Sequence, residues 1–428
     1  MKGKTKKVLT FLVTSVLAVL MMASVAGATA NYTAVTGTST TFTKYLVVPS
    51  DANIPNKTFN FSIAAGTAVV GSTDSMPIYA GDDAARVTGT PTIAADQAAF
   101  VSTDTTTAGA ANDGIANDIG KKYASKTVTI DFSSVSYKEP GVYRYVVTED
   151  TTAPTGVNFD TQVNRTLDVN VIDDGGTLKI DSYVMYYGEV TSAQSKTDVK
   201  ADTDTKKAKA SGIKVGDKCN SYVNSYPSQN LYVGKKIDGN QASKDKYFRF
   251  TVKITGAGSG TVINVGGDYT TAAIAKDVNG ATTITDADLA GADTYTNPGT
   301  ITADANEEAT AVFYLQGDQY VNLMGIPTGA VYIVTEDDYS SDGYVSTAAS
   351  STASFTIGTD PNTLTFDDAT TGTVADGEDV YTGYKNVKQG VIPTGVILSV
   401  APWIIAGIVV IAGVVFFAIR SRKKYEEE

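Results

Sequence analysis

Short segments in which apolar residues recur at every second position constrain the fold of this chain more than any other feature. They include residues 59–63, 127–130, 143–147 and 248–252, each lying between turn-forming residues. A period of two residues is typical of strands with one buried face. No long segment with the 3.6-residue period of a helix occurs between the two ends of the chain. The sequence therefore predicts an all-β body, built from β-sandwiches.

The N-terminal end has the order of a secretory signal peptide. Lysines at positions 2, 4, 6 and 7 precede an apolar run over residues 8–22 and a small-residue stretch that ends at Ala30. This order predicts a helical signal peptide over residues 1–30, removed by cleavage after Ala30. An N-terminal membrane anchor is the alternative, although the apolar run is short for a span of about 20 residues.

The C-terminal end, residues 391–428, has the three parts of a sorting signal. A short motif comes first, an uncharged stretch predicts a transmembrane helix over residues 396–419, and a basic tail begins at Arg420. The motif consists of Ile392, Pro393, Thr394 and Gly395.

A plain membrane anchor explains the span and the tail, but it does not explain the Pro-Thr-Gly sequence directly before the span. A sortase attacks a threonine carbonyl with its own cysteine, so it needs an extended peptide before the threonine and a glycine after it. The motif departs from the usual Leu-Pro-x-Thr-Gly because Pro393 directly precedes Thr394. We expect an exported protein that a sortase cleaves at Thr394 and fixes to the cell wall.

The overall composition excludes several classes of function. The chain has 34 basic and 46 acidic residues and a net charge of −12, and removing the two basic ends makes it more acidic still. This charge argues against nucleic acid and anionic membranes as partners. With no histidine, the chain has no Ser-His-Asp or Cys-His catalysis and no His-ligated zinc. Cys219 is the only cysteine, so an intrachain disulfide cannot form.

Some alternatives remain open on composition alone. Paired carboxylates could still serve a surface glycoside hydrolase, which is a less favoured interpretation. The acidic residues 286–288 lack the spacing of a calcium loop, and we predict no metal and no cofactor.

A weak internal repeat divides the body into two halves. Residues 145–150 recur as residues 332–337, and each half ends near an asparagine flanked by aromatic residues. The repeat predicts β-sandwich domains over residues 31–228 and 229–390. Within the first of these, the run 191–218 is rich in Thr, Lys, Ala and Asp and is predicted to be an exposed loop.

Strand periodicity directs the same three residue types at the core of each half. In each half a lysine, a glutamate and an asparagine share strand faces with apolar or aromatic residues, and buried charges are costly unless they are paired or neutralised. Two buried Lys–Glu salt bridges are one interpretation, and inward charges that protect edge strands from aggregation are another. The residues are Lys44, Glu149 and Asn224 in the first half and Lys235, Glu336 and Asn386 in the second.

Spontaneous covalent chemistry is the sharper interpretation of these residues. Burial favours a neutral, nucleophilic lysine and a protonated glutamic acid. The lysine nitrogen can then attack the asparagine side-chain carbonyl while the glutamic acid polarises that carbonyl and transfers the proton, and ammonia leaves. The product is an isopeptide bond that closes a long loop as a disulfide does, without an oxidant.

These residue sets resemble those of isopeptide-forming pilins of Gram-positive bacteria, specifically the T-antigen (FctA-like) backbone pilins. Residues 142–149 are similar to the pilin E-box, residues 224–240 are similar to a junction between pilin domains, and residues 391–395 are similar to a short Val-Pro-Thr-Gly sorting motif. The resemblance implies two tandem immunoglobulin-like (Cna-B-like) β-sandwich domains. It also implies catalytic roles for Glu149 and Glu336 in forming Lys–Asn bonds, and a structural pilus shaft subunit that is not an enzyme.

A backbone pilin also needs a surface lysine that accepts the sorted threonine of the next subunit. The resemblance places this lysine shortly before the last strand of the first domain, where Lys218 and Lys214 lie. It implies sortase, neighbouring subunits, peptidoglycan and host surface ligands as partners, and a location in a fimbrium on the cell wall. A monomeric wall-anchored adhesin or stalk is the alternative.

Overall fold

The computed structural model describes residues 35–36, 38–72, 77–152, 154, 156–192, 205–276 and 284–390. The predicted signal peptide, the sorting motif and the predicted transmembrane helix lie outside these ranges. Among the described residues, no helix is both long enough and apolar enough to span a membrane.

Strands make up the regular structure of the first part of the chain, and the predicted all-β class is confirmed. Those described up to Ser225 are β1 (Val35–Thr36), β2 (Ser39–Pro49), β3 (Lys57–Phe59), β4 (Phe61–Ala65), β5 (Ile78–Ala80), β6 (Val87–Thr88), β7 (Thr92–Ile93), β8 (Ala98–Phe100), β9 (Thr107–Ala108), β10 (Lys121–Asp131), β11 (Ser136–Tyr137), β12 (Gly141–Glu149), β13 (Asn164–Asp173), β14 (Leu178–Tyr187) and β15 (Ser221–Ser225).

The second part of the chain continues in the same way, with one short α-helix and one 3₁₀-helix among the described residues. The strands are β16 (Ser228–Asp238), β17 (Phe248–Thr255), β18 (Val262–Asp268), β19 (Ile274–Ala275), β20 (Thr294–Tyr295), β21 (Thr300–Thr302), β22 (Glu308–Leu315), β23 (Tyr320–Pro327), β24 (Val331–Glu336), β25 (Val345–Ala348), β26 (Phe355–Thr359), β27 (Asn362–Phe366), β28 (Thr371–Thr373) and β29 (Val380–Val387). The helices are α1 (Asp286–Leu289) and η1 (Ser340–Asp342).

Two sheets enclose the main core of the first part. One has the order β15-β2-β10-β7, and the other has the order β14-β13-β12-β4. Alternate residues of β2 and β12 point into the space between them, so Phe42, Leu46, Tyr145 and Val147 are all buried in one cluster. The period-two pattern of the sequence thus becomes a two-layer arrangement, because each sheet buries one face against the other.

The second part repeats this arrangement with its own core. A sheet of order β21-β18-β23-β16-β29-β25 and a sheet of order β22-β17-β24-β28 contribute to one buried cluster. Leu231 and Val233 come from β16, and Phe250 and Val252 come from β17. The two cores do not share residues, so each part buries its apolar surface independently.

In both parts the first long strand lies parallel to the last strand. β2 pairs with β15, and Lys44 is the partner of Tyr222. β16 pairs with β29, and Lys235 is the partner of Tyr384. Parallel neighbours need a long crossover, and here the whole of each sandwich lies between the two strands.

The two parts contact each other through the loop after β2. Asn53 donates from Nδ2 to Oδ1 of Asn264 at 2.8 Å and to the carbonyl of Val262 at 3.0 Å. From the other side, Asn230 donates to a carboxylate oxygen of Asp51 at 2.9 Å. These side-chain bonds add to the covalent connection between β15 and β16.

Residues 205–218, the C-terminal part of the predicted loop 191–218, are partly packed against the first part of the chain. Ala208 is buried against Cys219 and Val223 in a small cluster of its own. Composition predicted an exposed loop or insertion outside the core, and the small Ala208 side chain packs against the outer face of β15, apart from the main core, at little cost in side-chain entropy.

Candidate cross-linking sites

The strands that carry the two lysines are interior strands. β2 lies between β15 and β10, and β16 lies between β29 and β23. Inward charges that protect an edge strand are therefore not the explanation of Lys44 and Lys235, because neither strand is an edge. Both lysines are fully buried.

In the first site the three predicted residues lie together. Nζ of Lys44 lies 2.5 Å from Oε1 of Glu149, and the angles leave Nζ without a hydrogen-bond partner among the described residues. Nδ2 of Asn224 donates to the same Oε1 at 2.8 Å. Lys44 and Asn224 come from neighbouring strands of one sheet, and Glu149 reaches them from β12 in the opposite sheet. One carboxylate oxygen thus contacts both nitrogens.

The surroundings of the first site are aromatic. Nζ of Lys44 lies 4.6 Å from the centre of the Phe59 ring and 6.0 Å from that of Tyr222. Oε2 of Glu149 is buried and has no hydrogen-bond partner among the described residues. An unpartnered, buried carboxylate oxygen is costly when the group is charged, and this cost favours the protonated acid.

Burial changes the acid–base properties of both groups in the same direction, toward neutrality. It lowers the pKa of Lys44 to about 8, although the nearby Glu149 carboxylate opposes the shift. Burial also raises the pKa of Glu149, against the opposing effect of Lys44 and the hydrogen bond from Asn224. Desolvation dominates because the charged forms lose their water, and the contact between Lys44 and Glu149 with the single hydrogen bond from Asn224 does not replace it.

The amide of Asn224 is held at both ends. Its Nδ2 donates to Glu149, and its Oδ1 accepts from the backbone N–H of Asp160 at 2.9 Å. Asp160 lies in the segment between β12 and β13, which runs beside the open edge of β15 and pairs with it through Asn158 and Ser225. The asparagine carbonyl therefore has a fixed orientation.

In the second site the lysine and the glutamate lie together. Nζ of Lys235 donates to Oε1 of Glu336 at 2.5 Å and lies 4.1 Å from the centre of the Phe248 ring. Burial lowers the pKa of Lys235 to about 8, and Glu336 opposes this shift. Glu336 pairs with Phe250 on the neighbouring strand, as Glu149 pairs with Phe61 in the first site.

The asparagine of the second site differs from that of the first. Both Oδ1 and Nδ2 of Asn386 are buried and have no hydrogen-bond partner in the part of the chain that the structure describes. The second oxygen of Glu336 accepts from the hydroxyl of Ser346 at 2.8 Å. A buried amide without partners costs about 1–3 kcal/mol, so this arrangement is less favourable than that of Asn224.

The two candidate acceptor lysines lie just before β15. Lys214 is exposed and Lys218 is half-buried. Lys218 is held by its backbone, because its carbonyl accepts from the N–H of Lys206 and it forms a bridge with Tyr186 of β14. Neither lysine belongs to the buried sites, as a role at the surface requires.

Two arginines that sequence analysis did not single out are fully buried in the first part. Arg144 forms a bidentate pair with Asp168 and donates to the carbonyls of Val190 and Ser192. Strand period correctly turns Arg144 away from the main core, but residues 188–192 fold over that outer face. Arg165 pairs with Asp160, close to Asn224. Local sequence has no signal for either pair, because each partner is brought close only by the fold.

Comparisons with known proteins relate the chain to domains that contain isopeptide bonds and to pilins. Residues 40–226 match the family model FctA, described as a Spy0128-like isopeptide containing domain, and residues 229–378 match a domain of unknown function, DUF7601. A curated protein named Pilin from Streptococcus pyogenes serotype M1 is 26% identical over 297 residues, which cover 68% of this chain and 71% of that protein.

Two solved structures can be set beside the chain. The major pilin from Streptococcus pyogenes has 20% identity and a TM-score of 0.46, covering 83% of this chain and 100% of its own. The major pilin T3.2 from serotype GAS13637 has 18% identity and a TM-score of 0.45, covering 83% of this chain and 99% of its own.

This nearly all-β chain places a buried lysine and asparagine on neighbouring strands and a glutamate opposite them, and with its matches in sequence it is a pilin, a structural protein and not an enzyme. Within that class, its residues 40–226 belong to the FctA family of Spy0128-like isopeptide containing domains, which confirms the resemblance found in the sequence.

Proposed function

We propose that this pilin is a shaft subunit of a sortase-assembled pilus in which each of two tandem immunoglobulin-like domains, residues 31–228 and 229–390, is closed by its own Lys–Asn isopeptide bond. The observation that carries the proposal is the shared oxygen of the first site. Oε1 of Glu149 contacts both the nitrogen of Lys44, which would attack, and the nitrogen of Asn224, which would leave.

The chemistry follows from this contact. Neutral Lys44 attacks Cγ of Asn224, and a bond forms between Nζ and Cγ while the carbonyl electrons move to Oδ1. Glu149 takes a proton from the attacking nitrogen and gives a proton to Nδ2, which can then leave as ammonia. When the carbonyl reforms, the products are one secondary amide and one NH₃. No oxidant and no cofactor is needed.

The same reaction is proposed for Lys235, Glu336 and Asn386. The offset between lysine and asparagine along the parallel strands is identical in the two parts. The buried, unpartnered amide of Asn386 also favours the cross-linked product at equilibrium, because the product amide has one fewer donor to satisfy than the –NH₂ group.

Such bonds would make each domain resistant to unfolding under force. The first bond would join the first long strand to the last and close a loop of about 180 residues, which is worth about 5 kcal/mol in the chain-entropy estimate for cross-links. A chain with one cysteine, Cys219, cannot obtain this from a disulfide. A shaft that transmits force benefits because its terminal strands cannot be pulled apart.

Polymerisation is proposed to use the sorting motif of one subunit and a lysine of the next. A sortase would form an acyl intermediate at Thr394, and the amine of Lys218, or of Lys214, would resolve it to join the two subunits. The last subunit would be transferred to peptidoglycan, and the assembled fibre would present surfaces to host ligands. The precursor would be held in the membrane by residues 396–419 until it is processed.

Intact mass tests the cross-links. Each bond should lower the mass of the protein by about 17 Da, because one NH₃ is lost in each acyl transfer. Glu149→Gln and Glu336→Gln keep the shape of the side chain but remove the proton carrier, and each should restore one NH₃. A wild-type protein with its full calculated mass would contradict the proposal.

Covalent ladders test polymerisation. In cells with the matching sortase, the wild-type protein should form high-molecular-weight species that survive boiling in SDS. These species should disappear in Lys218→Ala or in Lys214→Ala. Lys179→Ala is the control, because Lys179 is an exposed lysine outside the segment of the two candidates, and it should leave the species unchanged. A protein that remains monomeric and wall-bound would instead be the anchored adhesin or stalk.

A further inference from the structure

Asp160 is buried beside the first site, and its side chain takes no part in the reaction described above. We propose that Asp160 is the positioning residue of this site. Its backbone N–H holds Oδ1 of Asn224 in place and stabilises the negative charge that develops on that oxygen when Lys44 attacks. This inference rests on the proposed isopeptide chemistry, and it adds a group that the lysine, glutamate and asparagine do not supply.

The N–H of Asp160 is directed at the reacting carbonyl. The distance from its nitrogen to Oδ1 of Asn224 is 2.9 Å, within the range for donors that stabilise an oxyanion. On the other side of the amide, Glu149 contacts the leaving nitrogen. The carbonyl oxygen and the amide nitrogen therefore have separate partners, one for the developing negative charge and one for the proton.

The side chain of Asp160 holds its own backbone in position. Oδ2 accepts from the guanidinium of Arg165 at 2.8 Å and from the N–H of Val223 at 3.1 Å. Oδ1 accepts from the hydroxyl of Tyr187 at 3.2 Å. These three partners belong to β13, β15 and β14, so the loop is tied to three strands at the position where its N–H is needed.

Arg165 extends this anchor into the last strand. Its Nε and Nη2 donate to the carbonyl of Ser221 at 3.0 and 2.7 Å, and its guanidinium lies against the rings of Tyr187 and Tyr222. Asn224 lies three residues after Ser221 on the same strand. The Asp160–Arg165 pair therefore ties the donor loop and the asparagine strand to one another, so that the donor and the carbonyl oxygen keep a constant separation.

The negative charge at Oδ1 is transient, because it forms with the Nζ–Cγ bond and disappears when the C–N bond to the leaving ammonia breaks. A preorganised donor at this atom lowers the barrier to its formation without a cost of reorganisation. The second site has no such donor among the described residues, since Oδ1 of Asn386 has no hydrogen-bond partner there.

Four substitutions separate the roles of Asp160. Asp160→Pro removes the N–H, and Asp160→Ala keeps the N–H but releases the loop from Arg165, Val223 and Tyr187. Asp160→Asn keeps the N–H and an oxygen for Arg165 and Val223, but it loses the charge and replaces the oxygen that accepts from Tyr187 with an NH₂ group. Asn158→Ala changes an exposed side chain of the same loop and serves as the control.

The rate is measured on the full-length chain, purified unfolded in guanidinium and refolded by dilution into mild detergent. Samples are quenched at intervals, digested and analysed by mass spectrometry, which resolves the cross-linked peptides of the two sites. The second site serves as an internal clock in every sample. Cys219 is the only thiol and is fully buried in the first part, so its protection from a thiol reagent reports whether that part has folded.

In chains with protected Cys219, Asp160→Pro should slow the first site about 100-fold, the cost of losing one oxyanion donor. Asp160→Ala should slow it by a smaller factor, because the N–H remains but is no longer held in place. Asp160→Asn and Asn158→Ala should stay near the wild-type rate, and the second site should not change. If Asp160→Pro does not fold, the comparison of Asp160→Ala with Asp160→Asn decides.

Two results would overturn the positioning role. One is an unchanged rate in Asp160→Ala. The other is an Asp160→Asn rate as slow as that of Asp160→Ala, which would assign the effect to the charge or the Tyr187 contact and not to the anchor formed with Arg165 and Val223. Failure of the wild-type chain to release ammonia at either site is a different result, and it would refute the cross-linking function itself.

Discussion

Asn224 lies two residues beyond the position on β15 that pairs with Lys44 on β2, so the two side chains project from the same face of a parallel strand pair. Lys235 and Asn386 have the same offset on β16 and β29. Side chains two residues apart along a strand share a face, and neighbouring strands lie about 4.8 Å apart. A lysine is long enough to cover that diagonal, which makes this register suitable for joining the first and last strands of a sandwich.

Removing Glu149 should destabilise the first part for two reasons. In Glu149→Ala we expect no cross-link there, a loss of about 5 kcal/mol in the chain-entropy estimate. Lys44 would also remain a free amine buried without a carboxylate partner, and such an uncompensated group costs about 3–5 kcal/mol. Guanidinium unfolding, followed with peptide mapping, measures both effects.

Glu189→Ala is the matched control for this change, because Glu189 is an exposed glutamate of the same part. It should leave both the mass and the unfolding midpoint near those of the wild type. Release of ammonia at the first site in Glu149→Ala would show that the glutamate is not the proton carrier.

The cross-linking rate of the first site should have a bell-shaped pH dependence. The reactive state needs Lys44 without its extra proton and Glu149 with one. Two protonation states of the pair compete between the raised pKa of Glu149 and the pKa of Lys44 near 8: the reactive one, with both groups neutral, and the ionised one, with both groups charged. Both states hold the same number of protons, so their ratio does not depend on pH.

Above pH 8 the rate should fall about tenfold per pH unit as Glu149 gives up its proton without a compensating gain, and below the pKa of Glu149 it should fall as Lys44 is protonated. Refolding across pH 4–10 with mass analysis measures this profile. A rate that stays at its maximum from pH 8 to pH 10, where Lys44 has lost its extra proton, would mean that only the amine titrates.

The first site should react before the second in the wild-type chain. Asn224 is oriented at both ends, whereas Asn386 has no partner among the described residues. Ser346 donates to Oε2 of Glu336 at 2.8 Å, so its hydroxyl hydrogen occupies an oxygen that could otherwise carry the transferred proton. Ser346→Ala should therefore speed the second site, and Thr347→Ala on the same strand should not. Simultaneous reaction of both sites, unaffected by Ser346→Ala, would contradict this order.

The buried pair of Arg144 and Asp168 should matter more to stability than an exposed pair. Arg144→Met leaves Asp168 buried without its counter-ion, and the expected cost is about 3–5 kcal/mol. Burial raises the pKa of Asp168 and Arg144 opposes that shift, so the variant should bind a proton at Asp168 more readily. Its stability deficit should therefore shrink at acid pH.

Lys179→Met is the comparison, because it breaks an exposed pair with Asp174 that water screens, and this variant should unfold close to the wild type. Chemical unfolding of both variants at pH 5 and pH 8 measures the difference. Equal losses would mean that residues 188–192 do not shield Arg144 from water in solution.

Local periodicity was sufficient to predict the all-β class and the inward direction of the two lysines. Lys44 alternates with Phe42 and Leu46, and any strand with that pattern must bury the lysine when it buries its neighbours. Periodicity could not predict the fate of Arg144. Arg144 lies on the opposite face of its strand from Tyr143 and Tyr145, and whether that face meets water depends on a segment more than 40 residues away.

Sequence analysis identified the lysine, glutamate and asparagine of each site from their order along the chain, but not the residues that surround them. Asp160 and Ser346 carry no signal in their local sequence, because their contacts with Asn224 and Glu336 cross between loops and strands. Arg165 acts on the site only through its bond to Asp160. A hydrogen bond depends on tenths of an ångström, and such distances arise only when distant elements have packed.

The amino-acid sequence by itself determined that strands form, that a lysine, a glutamate and an asparagine in each half face inward, and that no disulfide joins them. These properties depend on side-chain period and composition, which are local. The tertiary structure decided that Lys44 and Asn224 lie on adjacent parallel strands, that one oxygen of Glu149 contacts both, and that Asn386 lacks the partners that Asn224 has. Those relationships depend on strand order and register, which are set when the two sheets pack around a common core.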